Sequence, residues 1–167
     1  MKPSALTVKS NGGILRVLAS PVNIINPSNK ASLAITGIWD TGATGSVISK
    51  KVVTALGLIP TGLSQVSTAN GTALQNTHTV QIQLPNGITI TDVVVTEVDS
   101  LSGGCDALIG MDIITLSDFS ITNHKGITCM SFRIPSSHEI DYVKSPNFGE
   151  VKITKGSERQ WEKRFRK

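Results

Sequence analysis

Ile38-Trp39-Asp40-Thr41-Gly42-Ala43-Thr44 puts an acid at the end of an apolar run and directly before a glycine turn. An ionised carboxylate is costly to bury unless it is paired or well hydrogen-bonded. Asp40 is therefore either a simple cap of that turn or a group held in place for chemistry. Gly42 lets the backbone come close, so its amide can donate to the carboxylate. If a second Asp of the same kind faced Asp40 across a symmetry axis, like charge would keep both from ionising. The pair would then hold one proton between them and titrate as a unit. One carboxylate could act as base on a water while its protonated partner polarised a carbonyl.

Outward from this stretch, the chain reads as short strands joined by tight turns. Upstream, Leu33–Trp39 and Val22–Ile25 are strands separated by the turn Asn26-Pro27-Ser28-Asn29, and Ile14–Leu18 reads as a further short strand. Residues 1–13 are polar, contain glycine and are expected to be a flexible N-terminal segment. Downstream, Ser49 is placed to cap a short helix through Leu56, with Gly57 as its left-handed terminator. Asn70-Gly71 centres a polar hairpin over Gln65–Gln75, and Asn86-Gly87 joins the alternating runs Val80–Leu84 and Ile88–Ile90. Val93-Val94-Val95 opens a more continuous buried strand. Ala107–Ile109 is another, and Gly110 leads into Asp112, read as the cap of one or two helical turns. Phe119–Thr122 and Ile127–Phe132 flank a third hairpin, and Pro135-Ser136-Ser137 marks a break. The expected class is mostly β with two short helices; there is no βαβ alternation and no repeat period.

Composition agrees with one folded domain and narrows the function classes. Of the 167 residues 39% are apolar and 17% charged, which fits a chain with a core. No apolar run approaches the roughly 20 residues that span a bilayer, and Arg16 interrupts the one early run that could serve as an export signal. A cytoplasmic location is the expectation, with Cys105 and Cys129 as free thiols. His78, His124 and His138 lack metal-ligand spacing, so neither a metal nor another cofactor is expected. Residues 155–167 carry six bases and two acids, which accounts for the whole net charge of +4. The basic character thus belongs to a tail and says little about the body of the protein.

The order of these parts resembles the retropepsin-like (retroviral-type) aspartic peptidases, of cellular or bacterial type, over about residues 14–134. The resemblance rests on Asp40-Thr41-Gly42-Ala43, the short helix after it, the Asn70-Gly71 hairpin about thirty residues on, and Ala107-Leu108-Ile109-Gly110 before a second short helix. It implies a single-lobe acid-protease β-barrel that forms a two-fold homodimer and hydrolyses peptide bonds in a peptide or protein substrate. Asp40 would be the catalytic carboxylate, Thr41 would bond its counterpart across the axis, and Gly42 and Ala43 would complete the active-site loop. Ala69-Asn70-Gly71-Thr72 would form the tip of a substrate-covering flap, and Leu108, Ile109 and Gly110 would pack behind the loop. Viral members usually carry an Asp where Thr44 stands and an Arg where Met111 stands. Both are absent here together, so no orphan charge is created. No second Asp-Thr-Gly or Asp-Ser-Gly occurs in the chain, so one chain supplies half of a site.

Two readings compete with a peptidase. The same domain could be a non-catalytic dimeric module that grips extended peptides; an intact Asp-Thr-Gly argues against it. Alternatively, the polar extension 135–167 could use Trp161 and Phe165, set among its bases, to meet an acidic partner or nucleic acid.

Overall fold

The computed structural model describes residues 4–68 and 71–144. The chain divides into two compact units, residues 1–137 and 138–167. Within the second, Lys144 bridges to Glu139 and Asp141 in an exposed turn. The basic tail read from the sequence, 155–167, lies outside the described residues.

In the first unit the strands are β1 (Ser4–Lys9), β2 (Ala19–Ile25), β3 (Ser32–Trp39), β4 (Val47–Ser49), β5 (Gly62–Thr68), β6 (Gly71–Gln83), β7 (Thr89–Val98), β8 (Ala107–Ile109), β9 (Asp118–Thr122) and β10 (Cys129–Ile134). Two short helices, α1 (Lys50–Leu56) and α2 (Met111–Ile114), follow β4 and β8. The larger sheet runs β2-β3-β8-β4-β7-β6-β5, and β2 also pairs with β6 through Asn23↔Gln83, Ile24↔Ile82 and Ile25↔Gln81. That extra pairing closes the ring β2-β3-β8-β4-β7-β6 into a barrel and leaves β5 as an outlying edge strand. Val22, Ile24, Ile48, Val80, Ile82, Val95 and Ile109 fill it, at alternate positions of their strands. Among the described residues no helix is long and apolar enough to cross a membrane.

A separate sheet of order β1-β10-β9 completes the unit. Residues 4–9, expected to be loose, instead pair with β10 from Ser4↔Ile134 to Lys9↔Cys129. Ile14–Leu18, expected as a strand, joins no sheet, and the ladder begins only at Ala19. Trp39 links the barrel to this second sheet. Its ring stacks on Phe119 at 5.9 Å and tilts against Phe132 at 5.1 Å, and its indole N–H donates to buried Ser20 Oγ at 2.9 Å. The loop that begins at Asp40 therefore starts from a residue anchored in both sheets.

Other local readings need adjusting. Gly57 does end α1 in the left-handed region, at φ 59°. Ser49 stands at the N-cap position, yet its hydroxyl donates to Asp106 Oδ1 at 3.0 Å and caps nothing. Lys51 reaches the other oxygen of Asp106, and its hydrogen bond holds that carboxyl below the usual carboxylate range. Val94, read as part of a buried run, is 58% exposed between buried Val93 and Val95, so β7 alternates there.

The C-terminal end of α1 is satisfied from across the barrel. Buried Asn26 donates through Nδ2 to Leu56 O at 3.0 Å and to Gly57 O at 3.4 Å, while its Oδ1 accepts from Ser28 N at 2.9 Å. Asn26→Ala leaves two helix-end carbonyls and an amide without this partner. We expect it to cost about 1–3 kcal/mol, read as a lowered denaturant midpoint with an unchanged slope.

Candidate active site

Asp40 follows directly on β3, where Trp39 pairs with Ile109 of β8 in parallel register. Its amide donates to Ile109 O at 2.9 Å, extending that ladder by one step past the strand end. The side chain is half-buried. Its Oδ1 accepts the Gly42 amide at 2.8 Å, and its carbonyl accepts the Ala43 amide at 3.3 Å. The carboxylate is therefore oriented by its own loop, while Thr41 and Gly42 stay exposed beside it. A Cβ on Gly42 would lie 3.2 Å from Asp40 Oδ1, tight enough that the carboxylate would have to shift.

Leu108, Ile109 and Gly110 lie behind this loop. Ile109 is fully buried and Leu108 half-buried. Gly110 is so close to the loop that a Cβ there would sit 2.6 Å from both the carbonyl carbon and oxygen of Gly45. The first amides of α2 have no partner within their own helix. Met111 N donates to Ala43 O at 2.9 Å and Asp112 N to Thr44 O at 3.2 Å, so the loop carbonyls take them up.

Asp112, read as a helix cap, is not one: Gly110 holds the N-cap position of α2 and Asp112 lies in its first turn. Its Oδ1 does accept Ile113 N at 3.0 Å, but it also accepts Ser46 Oγ at 2.8 Å, and Oδ2 accepts Ser46 N at 3.0 Å. Buried Ser46 in turn accepts Gly110 N on its hydroxyl at 3.0 Å. Sequence reasoning passed over Ser46 altogether. The two residues are 66 positions apart, and no local pattern marks either as the other's partner.

Gly71 and Thr72 open β6, on an arm formed with β5 whose register runs from Gly62↔Thr77 to Thr68↔Gly71. Ala69 and Asn70, the other residues expected at the flap tip, lie outside the described residues. Cys105 and Cys129 are both free thiols.

A family model described as aspartyl protease matches residues 25–113, a span that holds Asp40, Gly110 and Asp112. Among solved structures, a retropepsin-like aspartic protease from Rickettsia conorii is similar over 80% of this chain and 96% of its own, with 14% identity and a TM-score of 0.50. The EIAV protease complexed with the inhibitor HBY-793 is similar over 59% of this chain and 86% of its own, with 19% identity and a TM-score of 0.45. No curated protein matches the sequence. At such identities a likeness speaks to the fold alone, and that fold is retropepsin-like.

Proposed function

Since the chain belongs to the aspartyl protease family, we propose that it is an aspartic endopeptidase whose working form is a homodimer with one Asp40 from each copy. The observation that carries this reading is the state of Asp40. It stands at the end of a barrel strand, half-open to solvent, with Oδ1 held by the Gly42 amide at 2.8 Å. A turn cap would make that bond too; here the backbone of Asp40 is also held by a second segment of chain, through its amide to Ile109 O at 2.9 Å. One carboxylate takes a proton from water as the water oxygen bonds the scissile carbonyl carbon. The protonated partner hydrogen-bonds the carbonyl oxygen. Collapse of the tetrahedral species then breaks the C–N bond, with a proton passed to the leaving amine.

Incubation of the pure protein with an unfolded protein across pH 3–8, with and without a transition-state-mimicking aspartic peptidase inhibitor, tests the activity. Inhibitor-sensitive cleavage supports it, and no cleavage at any pH removes it. Dilution tests the shared site. Specific activity is expected to fall as the protein is diluted through its dimer dissociation constant. A chain that sediments as a monomer throughout and still cleaves in proportion to its concentration would exclude a site built from two copies.

A further inference from the structure

We propose that Asp112 and Ser46 are positioning residues for Asp40, acting through the backbone that carries it; this rests on the peptidase reading above. The active-site loop, residues 40–46, and the segment 109–113 are held together by two kinds of bond. Asp40 N to Ile109 O, Met111 N to Ala43 O and Asp112 N to Thr44 O are backbone bonds, which any sequence could supply. The rest run through the side chains of Ser46 and Asp112 alone.

Their geometry is a two-point clasp. Each carboxylate oxygen of Asp112 receives one donor from Ser46, the amide on Oδ2 and the hydroxyl on Oδ1. That fixes the carboxylate plane against the loop. The same hydroxyl accepts from Gly110 N, the residue after Ile109, whose carbonyl receives the Asp40 amide. A displacement of Ser46 is thus passed through Gly110 and Ile109 to Asp40. Space does not absorb it, because Gly110 already lies against the Gly45 backbone. Neither side chain reaches the Asp40 carboxylate, so their effect is on where it sits.

Substitutions separate this role from mere stability. Asp112→Ala removes the clasp and leaves the buried Ser46 amide without its acceptor. Asp112→Asn removes the charge but keeps both contacts to Ser46, since its carbonyl oxygen can accept Ser46 N while its amide donates to Ser46 Oγ; only the bond from Ile113 N is lost. The measurements are steady-state kinetics on the full chain, at concentrations where sedimentation shows one oligomeric state for all variants, and hydrogen exchange of the Asp40 amide relative to β2 amides. For Asp112→Ala we expect kcat to fall about 30–100-fold with KM within about threefold, because small misplacements act on the reacting geometry. We expect its Asp40 amide to exchange about tenfold faster while β2 is unchanged, a local opening and not global unfolding. Asp112→Asn should stay within about fivefold of the unsubstituted protein in both, and Ser46→Ala should resemble Asp112→Ala. Unchanged Asp40 exchange in Asp112→Ala overturns the proposal, as does an Asp112→Asn protein impaired as badly as the alanine variant. If Asp112→Ala does not fold, the comparison of Ser46→Ala with Asp112→Asn decides by the same criteria. If the unsubstituted protein cleaves nothing, the peptidase reading falls, and the exchange result alone upholds or overturns the clasp.

Discussion

Asp40→Asn protein is expected to lose peptide hydrolysis by about 10³-fold or more, the upper range for removal of an acid–base group that moves a proton in the transition state. Asn retains an oxygen that can accept the Gly42 amide, so the loop bond at 2.8 Å survives. It cannot give or take a proton as a carboxyl group does. Asp40 is half-buried and contributes no core volume, so stability should stay within about 0.5 kcal/mol. Kinetics and thermal unfolding on the same preparation check both halves. Activity above a few percent in protein free of contaminating peptidase would remove Asp40 from the reaction.

Gly110→Ala is expected to have the second largest effect, although it adds one methyl group. That methyl would meet the Gly45 carbonyl carbon and oxygen at 2.6 Å and Ala43 O at 3.1 Å. All three are backbone atoms, so nothing can rotate aside, and the loop or α2 has to move. Overpacking of this kind costs about 1–3 kcal/mol. The loss of activity should exceed that, by about 10²-fold, because the atoms displaced belong to the loop that holds Asp40. Gly45→Ala is the control, since a Cβ built there meets nothing within 4 Å. A Gly110→Ala variant within twofold of the parent in activity would show that the close approach has no functional weight.

Features of the fold governed by local chemistry were legible in the sequence. Gly57 and Gly87 take positive φ, 59° and 83°, where a terminator and a hairpin turn require it. The strand into Asp40, the segment Ala107–Gly110 and the β9–β10 hairpin are also where the sequence suggests. What escaped depends on partners far along the chain. Ser4–Lys9 has only Leu6-Thr7-Val8 to announce a strand, too short a run to stand out beside the polar residues around it; β10, more than a hundred residues on, makes it one. Ile14–Leu18 has the apolar pattern of a strand, but of these residues only Leu18 is bonded to β3, through its carbonyl to Trp39 N. Ser49 stands at a helix N-cap and Asp112 in the first turn of α2, yet neither side chain caps its helix; they are taken by Asp106 and Ser46 instead. At Lys30 and Asp92, φ is 62° and 57°, conformations that no glycine advertised.

Closure of the barrel by β2 has a mechanical consequence for the β5–β6 arm. Strand β6 leads two lives. Its later residues lie between β7 and β2, paired on both sides near Ile82. Residues 71–76 pair with β5 alone, and Leu63 and Leu74 there are about 70% exposed. Burial begins at Thr77 and His78, where His78 Nε2 meets Glu97 Oε2 at 2.9 Å and Thr77 O takes the Thr61 amide at 2.7 Å. The arm is therefore a cantilever with a clamped root. A two-stranded ribbon without a covering layer bends easily, whereas its support cannot yield without opening a closed ring. Bending is therefore confined to the span beyond Thr77, and the strands of the closed ring, β3 before Asp40 among them, are not drawn into it.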